Sequence, residues 1–100
     1  MAVTKIGDIS ENMKNIEVTG KITNLSERRR VNTRYGLADV AKADLEDETG
    51  SIRINLWRDQ IDCVAEGKMV KVINGFAKTY QERLELNIGK NGQISVIEGT

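Results

Sequence analysis

The sequence predicts an all-β protein: a small five-stranded barrel with one short helix between its third and fourth strands. Apolar residues alternate with polar ones through most of the chain, a period-two pattern typical of half-buried strands. Only one short segment changes to helical spacing. The chain has 100 residues, which is enough for one domain with one core. We therefore treat residues 1–100 as a single domain.

Alternation predicts three strands in the first half of the chain, at residues 16–25, 41–46 and 52–57. Gly20 lies where a strand that curves around a small barrel has to bend. The second and third strands are joined by the turn sequence of residues 47–50, so the two form a hairpin. Residues 26–36 are polar and are predicted to form a long loop.

Helical spacing of apolar residues occurs between residues 58 and 66, and Gly67 is placed to end the helix. Two further strands are predicted at 69–80 and 83–88. Gly89-Lys90-Asn91-Gly92 is predicted to be a turn, and the apolar residues that follow it close the chain. Three strands, a helix and two strands suit a small closed barrel better than a parallel α/β sheet. A sandwich is also compatible with this pattern.

Composition argues against most enzyme and metal-binding classes. The chain has no histidine, so the usual general base near neutral pH is missing, and no catalytic constellation is evident. Cys63 is the single cysteine, which excludes an internal disulfide and a Cys/His zinc cluster; we expect it to be a small buried hydrophobe. We therefore expect no enzyme, no cofactor, no metal and no small-molecule substrate.

The overall charge is neutral, with 15 basic and 15 acidic residues. Many nucleic-acid binders are strongly basic, so this balance argues against that class. A neutral total can nevertheless hide a basic face. No apolar run is long enough to span a membrane, and residues 1–9 lack the features of a secretory signal. We expect an intracellular, cytoplasmic protein with no membrane partner.

Three of the four aromatic residues are predicted to face away from the core. Trp57 shares its parity with Arg53 and Asn55, opposite the apolar residues of the same strand. An exposed indole in a polar row is a candidate binding residue. Alternatively, the strand ends at Leu56 and Trp57 packs against the helix.

Phe76, Lys78 and Tyr80 share one parity, and a core position would suit Lys78 poorly. Their parity is that of Val70 and Val72, which look buried, so a bulge at Asn74-Gly75 is needed to reverse the register. Alternatively, Phe76 fills the core and Lys78 extends out to water. Outward aromatics between cations are what single-stranded nucleic acid requires, a π-face for each base and a charge for each phosphate.

Basic residues cluster in the predicted loop between the first two strands: Arg28, Arg29, Arg30 and Arg34 fall within seven residues. Guanidinium groups there could contact phosphates or bases. The alternative is a charge run that contacts only water. The candidate nucleic-acid-binding residues are thus the three aromatics Trp57, Phe76 and Tyr80 and the cations Lys21, Arg28, Arg29, Arg34, Arg53 and Lys78.

The segment DETGSIRINLW, residues 47–57, resembles the D-x-T-G…W segment of archaeal single-stranded DNA-binding proteins and replication protein A domains. Similar correspondences follow at residues 75–80 and 84–87 and in the first long loop, so the resemblance covers nearly the whole chain. It implies a Greek-key barrel of the OB type. It also implies largely sequence-independent binding of single-stranded DNA in replication, recombination and repair.

In that family, the aromatics that correspond to Trp57, Phe76 and Tyr80 stack on bases. Some relatives carry a further aromatic where this chain has Asn87. Many simple archaeal members have a Gly/Arg-rich or acidic tail, whereas this sequence stops at Thr100. It is therefore compatible with a domain excised from a longer, multi-OB replication protein. Two other functions fit the same fold: assembly with replication or repair proteins or further OB domains, and binding of RNA.

Overall fold

The computed structural model describes residues 4–97, with the side chains of residues 89–91 excepted. Six strands form most of the described chain: β1 (Ile16–Thr23), β2 (Arg29–Thr33), β3 (Gly36–Asp47), β4 (Gly50–Trp57), β5 (Met69–Tyr80) and β6 (Arg83–Val96). A short helix, α1 (Asp59–Asp62), lies between β4 and β5. A single 3-10 turn, Ile6–Asp8, precedes β1.

Five of the strands form a closed ring in the order β1, β5, β6, β4, β3 and back to β1. The pairs are antiparallel except β4 with β6, which is parallel. This confirms the predicted five-stranded closed architecture with a short helix after the third strand of the ring. β2 is a sixth strand that pairs with β3 and extends the hairpin beyond the ring. The segment predicted as a loop, residues 26–36, thus contains a strand.

The apolar parity predicted for the first strands forms the core. Ile16, Val18 and Ile22 of β1 are fully buried or nearly so, as are their counterparts on β3 and β4. Gly20 lies where β1 crosses β3: a Cβ at this position would stand 2.7 Å from the Glu46 carbonyl oxygen and 2.9 Å from Leu45 Cγ. The absence of a side chain is what lets the ring close here.

β5 contains the predicted bulge. Val70 and Val72 are buried before it, and Gly75 and Ala77 are buried after it, so the inward parity reverses. The pairing of β5 with β6 shifts register between residues 73 and 75, and Asn74 has a φ of 59°. One extra residue in a left-handed conformation turns the strand over. Lys78 and Tyr80 consequently face outward.

The turn predicted at residues 89–92 is wrong, because these residues belong to β6. β6 pairs with both halves of β5: Ile88 lies opposite Gly75, and Gln93 lies opposite Ile73. Residues 89–92 of β6 lie next to the bulge of β5, where the pairing of the two strands shifts register. The chain continues as one strand through them and does not reverse direction. The apolar residues near the end of the chain therefore continue this strand.

The predictions for the helical region need two corrections. The helix holds four residues, none of them buried, and ends at Asp62, so Gly67 does not end it. Cys63 is exposed, not buried as expected. Ile61 of the helix and Val64, which follows it, are partly buried and pack against the core.

Candidate nucleic-acid interface

An open groove of about 570 Å³ crosses the outward face of the sheet, and we call it the aromatic groove. Residues from five strands line it: Arg29 and Val31 of β2, Val40 and Lys42 of β3, Asn55 and Trp57 of β4, Lys78, Thr79 and Tyr80 of β5, and Glu85 and Asn87 of β6. The groove therefore runs across the strands on the side opposite the core.

Strand register explains why these side chains meet. Val40 pairs with Trp57 and Lys42 pairs with Asn55 across β3 and β4. Residues that pair directly across antiparallel strands point to the same face of the sheet. The parity that places the apolar residues of β4 in the core thus places Asn55 and Trp57 in the groove.

Two of the predicted aromatics lie in the aromatic groove. Trp57 is half-buried at the end of β4, where its backbone N–H donates a 2.9 Å hydrogen bond to Gln60 Oε1. Tyr80 ends β5 and is 58% exposed. Phe76 is half-buried opposite Asn87, which lies in the groove, but Phe76 itself does not line it. Trp57 and Tyr80 thus line one groove, and Phe76 lies across from a residue of that groove.

A polar cluster forms the floor of the groove, and sequence reasoning missed it. Asn55 Nδ2 donates hydrogen bonds to Glu85 Oε1 at 2.9 Å and to Asn87 Oδ1 at 3.2 Å. Asn55 and Glu85 are 8% and 7% exposed, although alternation placed them on the solvent side. Their burial depends on side chains of neighbouring strands, which the period of a single strand does not reveal.

Three cations line the groove, Arg29, Lys42 and Lys78, against one carboxylate, that of Glu85. All three are exposed, and none forms an ion pair with another described residue. Their charges are therefore available to a ligand. Lys42 was not among the predicted site residues; its outward parity on β3 was the signal for it.

Two other predicted cations are paired with acids next to the groove. Arg53 Nε lies 3.2 Å from Asp44 Oδ1, and both side chains are mostly buried. Arg28 contacts Asp62 and lies 3.4 Å from Asp39, which also pairs with Arg30 at 3.2 Å. The predicted arginine cluster is thus split, because only Arg29 turns into the aromatic groove.

The remaining two predicted cations lie outside the groove. Arg34 is exposed in the turn between β2 and β3, beside Tyr35, which is 83% exposed. Lys21 is exposed on β1 at the position paired with Glu46 of β3. In the conformation described, neither residue shares a surface with Trp57 and Tyr80.

The described part of the chain contains no group of three or more acidic, cysteine or histidine side chains that could hold a metal ion. No helix in it is long and apolar enough to cross a membrane.

Comparison with known proteins gives a family match over most of the chain. Residues 4–96 match the family described as single-stranded DNA binding protein Ssb-like, OB fold. The single-stranded DNA binding protein Ssb of Saccharolobus solfataricus is 30% identical over 91 residues, which are 91% of this chain and 62% of that protein. Replication factor A of Methanothermobacter thermautotrophicus is 28% identical over 95 residues, which are 94% of this chain and 12% of that protein.

Among solved structures, the OB domain of a Thermoplasma acidophilum protein superimposes with a TM-score of 0.84. The two are 23% identical, and the match covers 98% of this chain and 89% of that one. At this identity the likeness concerns the fold alone. It confirms the OB fold that the family resemblance implied and the closed barrel that the order of elements favoured.

Proposed function

Because the chain belongs to the Ssb-like family of single-stranded DNA-binding proteins with an OB fold, we propose that it binds single-stranded DNA in its aromatic groove. The observation that carries this proposal is that Trp57 and Tyr80 share one groove with three cations that have no acidic partner among the described residues. Binding would serve replication, recombination and repair. The chain spans less than two thirds of the relatives it matches, so this proposal concerns the domain.

Stacking is the main contribution that we propose. A base stacked on an aromatic side chain contributes about 1 to 3 kcal/mol, and every base has a face to offer. Binding through Trp57 and Tyr80, with Phe76 beside them, is therefore largely independent of sequence. Arg29, Lys42 and Lys78 would neutralise phosphates along the groove. No cofactor and no chemical step is part of this proposal.

The test uses the intrinsic fluorescence of Trp57, the only tryptophan. Titration with oligo-dT of about 12 nucleotides, which is within the site size of an OB fold, should quench it. In a separate anisotropy assay with labelled oligo-dT, Trp57→Ala should weaken binding by about 1 to 3 kcal/mol. Tyr35→Ala removes an exposed ring outside the groove and serves as the control. Equal affinity of Trp57→Ala and the unmodified protein would exclude the stacking role.

Assembly with a partner protein is a second candidate function. Tyr35 and Leu37, 83% and 66% exposed, form an apolar tip on the β2–β3 hairpin, and β2 pairs on only one side among the described strands. Both features are typical of a surface that contacts another protein. A domain with this function alone would show no response to oligo-dT at low salt. Matched DNA and RNA oligomers would separate DNA binding from RNA binding, since stacking does not read the 2′-hydroxyl.

A further inference from the structure

Glu85 is an unexpected residue for the floor of a groove that binds a polyanion. Glu85 is only 7% exposed. No described cation lies within ion-pairing distance of its carboxylate. Lys78 occupies the paired position on β5 but forms no ion pair with it. A buried carboxylate without a cation is costly, and it repels phosphates. Such a group is understandable if the ligand brings hydrogen-bond donors to it.

The neighbouring amide points to the same kind of ligand. Asn55 Nδ2 donates to both Glu85 Oε1 and Asn87 Oδ1, which fixes the orientation of the amide. Asn55 Oδ1 is then left buried with no hydrogen-bond partner. A buried acceptor without a donor is unfavourable. Glu85 Oε2 also accepts no hydrogen bond from another described residue but, unlike Asn55 Oδ1, it is not fully buried. The floor thus presents acceptors that the protein itself does not satisfy.

We propose that Glu85, held in place by Asn55, is a base-edge recognition site that accepts a hydrogen bond from an exocyclic amino group. It favours cytosine, with its N4 amino group, over thymine and uracil, which present a carbonyl oxygen at that position. A carboxylate accepts from an amino group and is repelled by a carbonyl oxygen. The proposal rests on the proposed function, because the base has to be in the aromatic groove.

The arrangement of the groove supports edge recognition. Trp57 and Tyr80 end strands β4 and β5, and Glu85 and Asn55 line the same groove. A base that stacks on either ring places its face against the ring, so one edge is free to point toward the floor. Stacking then supplies most of the affinity, and Glu85 adds a modest preference for amino-bearing bases.

The experiment compares oligo-dC, oligo-dT and oligo-dU of equal length on the unmodified protein. We expect oligo-dC to bind about three- to tenfold more tightly than either of the others, as one net hydrogen bond would give. Uracil lacks the methyl group of thymine, so the comparison of oligo-dC with oligo-dU measures the effect of the amino group without that of the methyl group. An oligomer of 2-pyrimidinone deoxynucleotides, which is cytosine without its amino group, should lose the advantage. This comparison uses the unmodified protein only, so its result does not depend on whether a variant folds.

Glu85→Gln should bring the affinities for oligo-dC and oligo-dT close together, since the amide also offers a donor to a carbonyl. Glu48→Gln removes the same charge from the exposed β3–β4 turn and should keep the wild-type ratio. Equal affinities of the unmodified protein for all four oligomers would overturn this inference and leave the proposed function intact. Binding to none of them would overturn both. A ratio unaffected by Glu85→Gln in a folded variant would also overturn the assignment to Glu85.

Discussion

The backbone N–H of Ile6 donates a 2.9 Å hydrogen bond to Asp47 Oδ2, which ties the segment before β1 to the turn between β3 and β4. Asp47 Oδ1 accepts from the backbone N–H and the hydroxyl of Thr49, at 2.7 and 2.5 Å. Thr49 Oγ1 in turn accepts from the backbone N–H of Gly7 at 2.8 Å. In this chain the DETG sequence therefore organises a turn and anchors the N-terminal segment.

Asp47 should make stability depend on pH. Burial of its carboxyl opposes ionisation, but hydrogen bonds from Ile6, Thr49 and Gly50 outweigh it and lower the pKa of Asp47 below its ordinary 3.8. The unfolded chain therefore binds this proton more readily than the folded one, so the contribution is present above the ordinary pKa and is lost as the pH falls through the lower folded value.

We expect Asp47→Asn to reduce the free energy of unfolding near neutral pH by about 1 kcal/mol. The variant should also lose less stability than the unmodified protein on acidification. Urea unfolding at a series of pH values measures both effects, with the exposed Glu48→Gln as the control in the same turn. Parallel acid profiles for Asp47→Asn and the unmodified protein would contradict the prediction.

Gly20→Ala should destabilise the ring closure. The new Cβ would meet the Glu46 carbonyl oxygen and the Leu45 side chain at distances shorter than van der Waals contact, and backbone cannot move aside cheaply. We expect a loss of about 1 to 3 kcal/mol, measured by urea unfolding. Ser95→Ala, at an exposed strand position, should change stability by less than about 0.5 kcal/mol. A Gly20→Ala variant as stable as this control would show that β1 and β3 can separate there at no cost.

The turn between β5 and β6 should accept a stabilising change. Gln81 and Glu82 connect the paired residues Tyr80 and Arg83, and their φ values are 51° and 66°. Two-residue hairpin turns with positive φ at both positions prefer Asn-Gly. The double variant Gln81→Asn/Glu82→Gly should therefore raise the free energy of unfolding by about 1 kcal/mol.

Replacing both turn residues by alanine serves as the control, because alanine keeps the unfavourable φ. In thermal unfolding, the Asn-Gly variant should have a higher Tm than the unmodified protein, and the double-alanine variant should not. Equal behaviour of the two variants would mean that the backbone conformation of this turn is not the source of strain.

Arg29 and Arg28 should differ in their contribution to DNA binding. Arg29 lies in the aromatic groove with no acidic partner among the described residues, whereas Arg28 contacts Asp39 and Asp62. Loss of one phosphate contact lowers the slope of log affinity against log salt by about 0.7 for a single strand. We expect this change for Arg29→Ala and a much smaller one for Arg28→Ala.

Titrations with oligo-dT across a series of salt concentrations measure the two slopes. Lys78→Ala, which removes a second unpaired cation of the groove, should match Arg29→Ala. If Arg28→Ala changes the slope as much as Arg29→Ala does, Arg28 leaves its acidic partners when DNA binds.

Period-two alternation predicted the core correctly because each strand of this ring has one face buried and one face outward. Ile52, Ile54 and Leu56 are buried as their parity requires. The bulge at Asn74-Gly75 could also be inferred, because no uniform register places both Val72 in the core and Lys78 in water. The buried parity and the bulge each follow from the residues of a single strand, so both can be read from the sequence.

β2 was missed because its residues are polar apart from Val31, and none of them is buried. A strand outside the ring buries little apolar surface, so its sequence carries no alternation. The continuation of β6 through residues 89–92 was missed because glycines that accommodate an irregular strand resemble glycines in a turn. Cys63 was misplaced because the helix before it is too short to bury a face.

The sequence alone predicted the buried parity of β1, β3 and β4, the turns that join β3 to β4 and β5 to β6, and an outward position for Tyr80. The parity of a residue depends only on its position along its own strand, so it can be read from the sequence. Only the tertiary structure decided that Arg29 enters the groove while Arg28 is held by acids, and that Asn55 and Glu85 are buried together in its floor. Asn55 and Glu85 are 30 residues apart in the chain, and the parallel pairing of β4 with β6 brings them into contact.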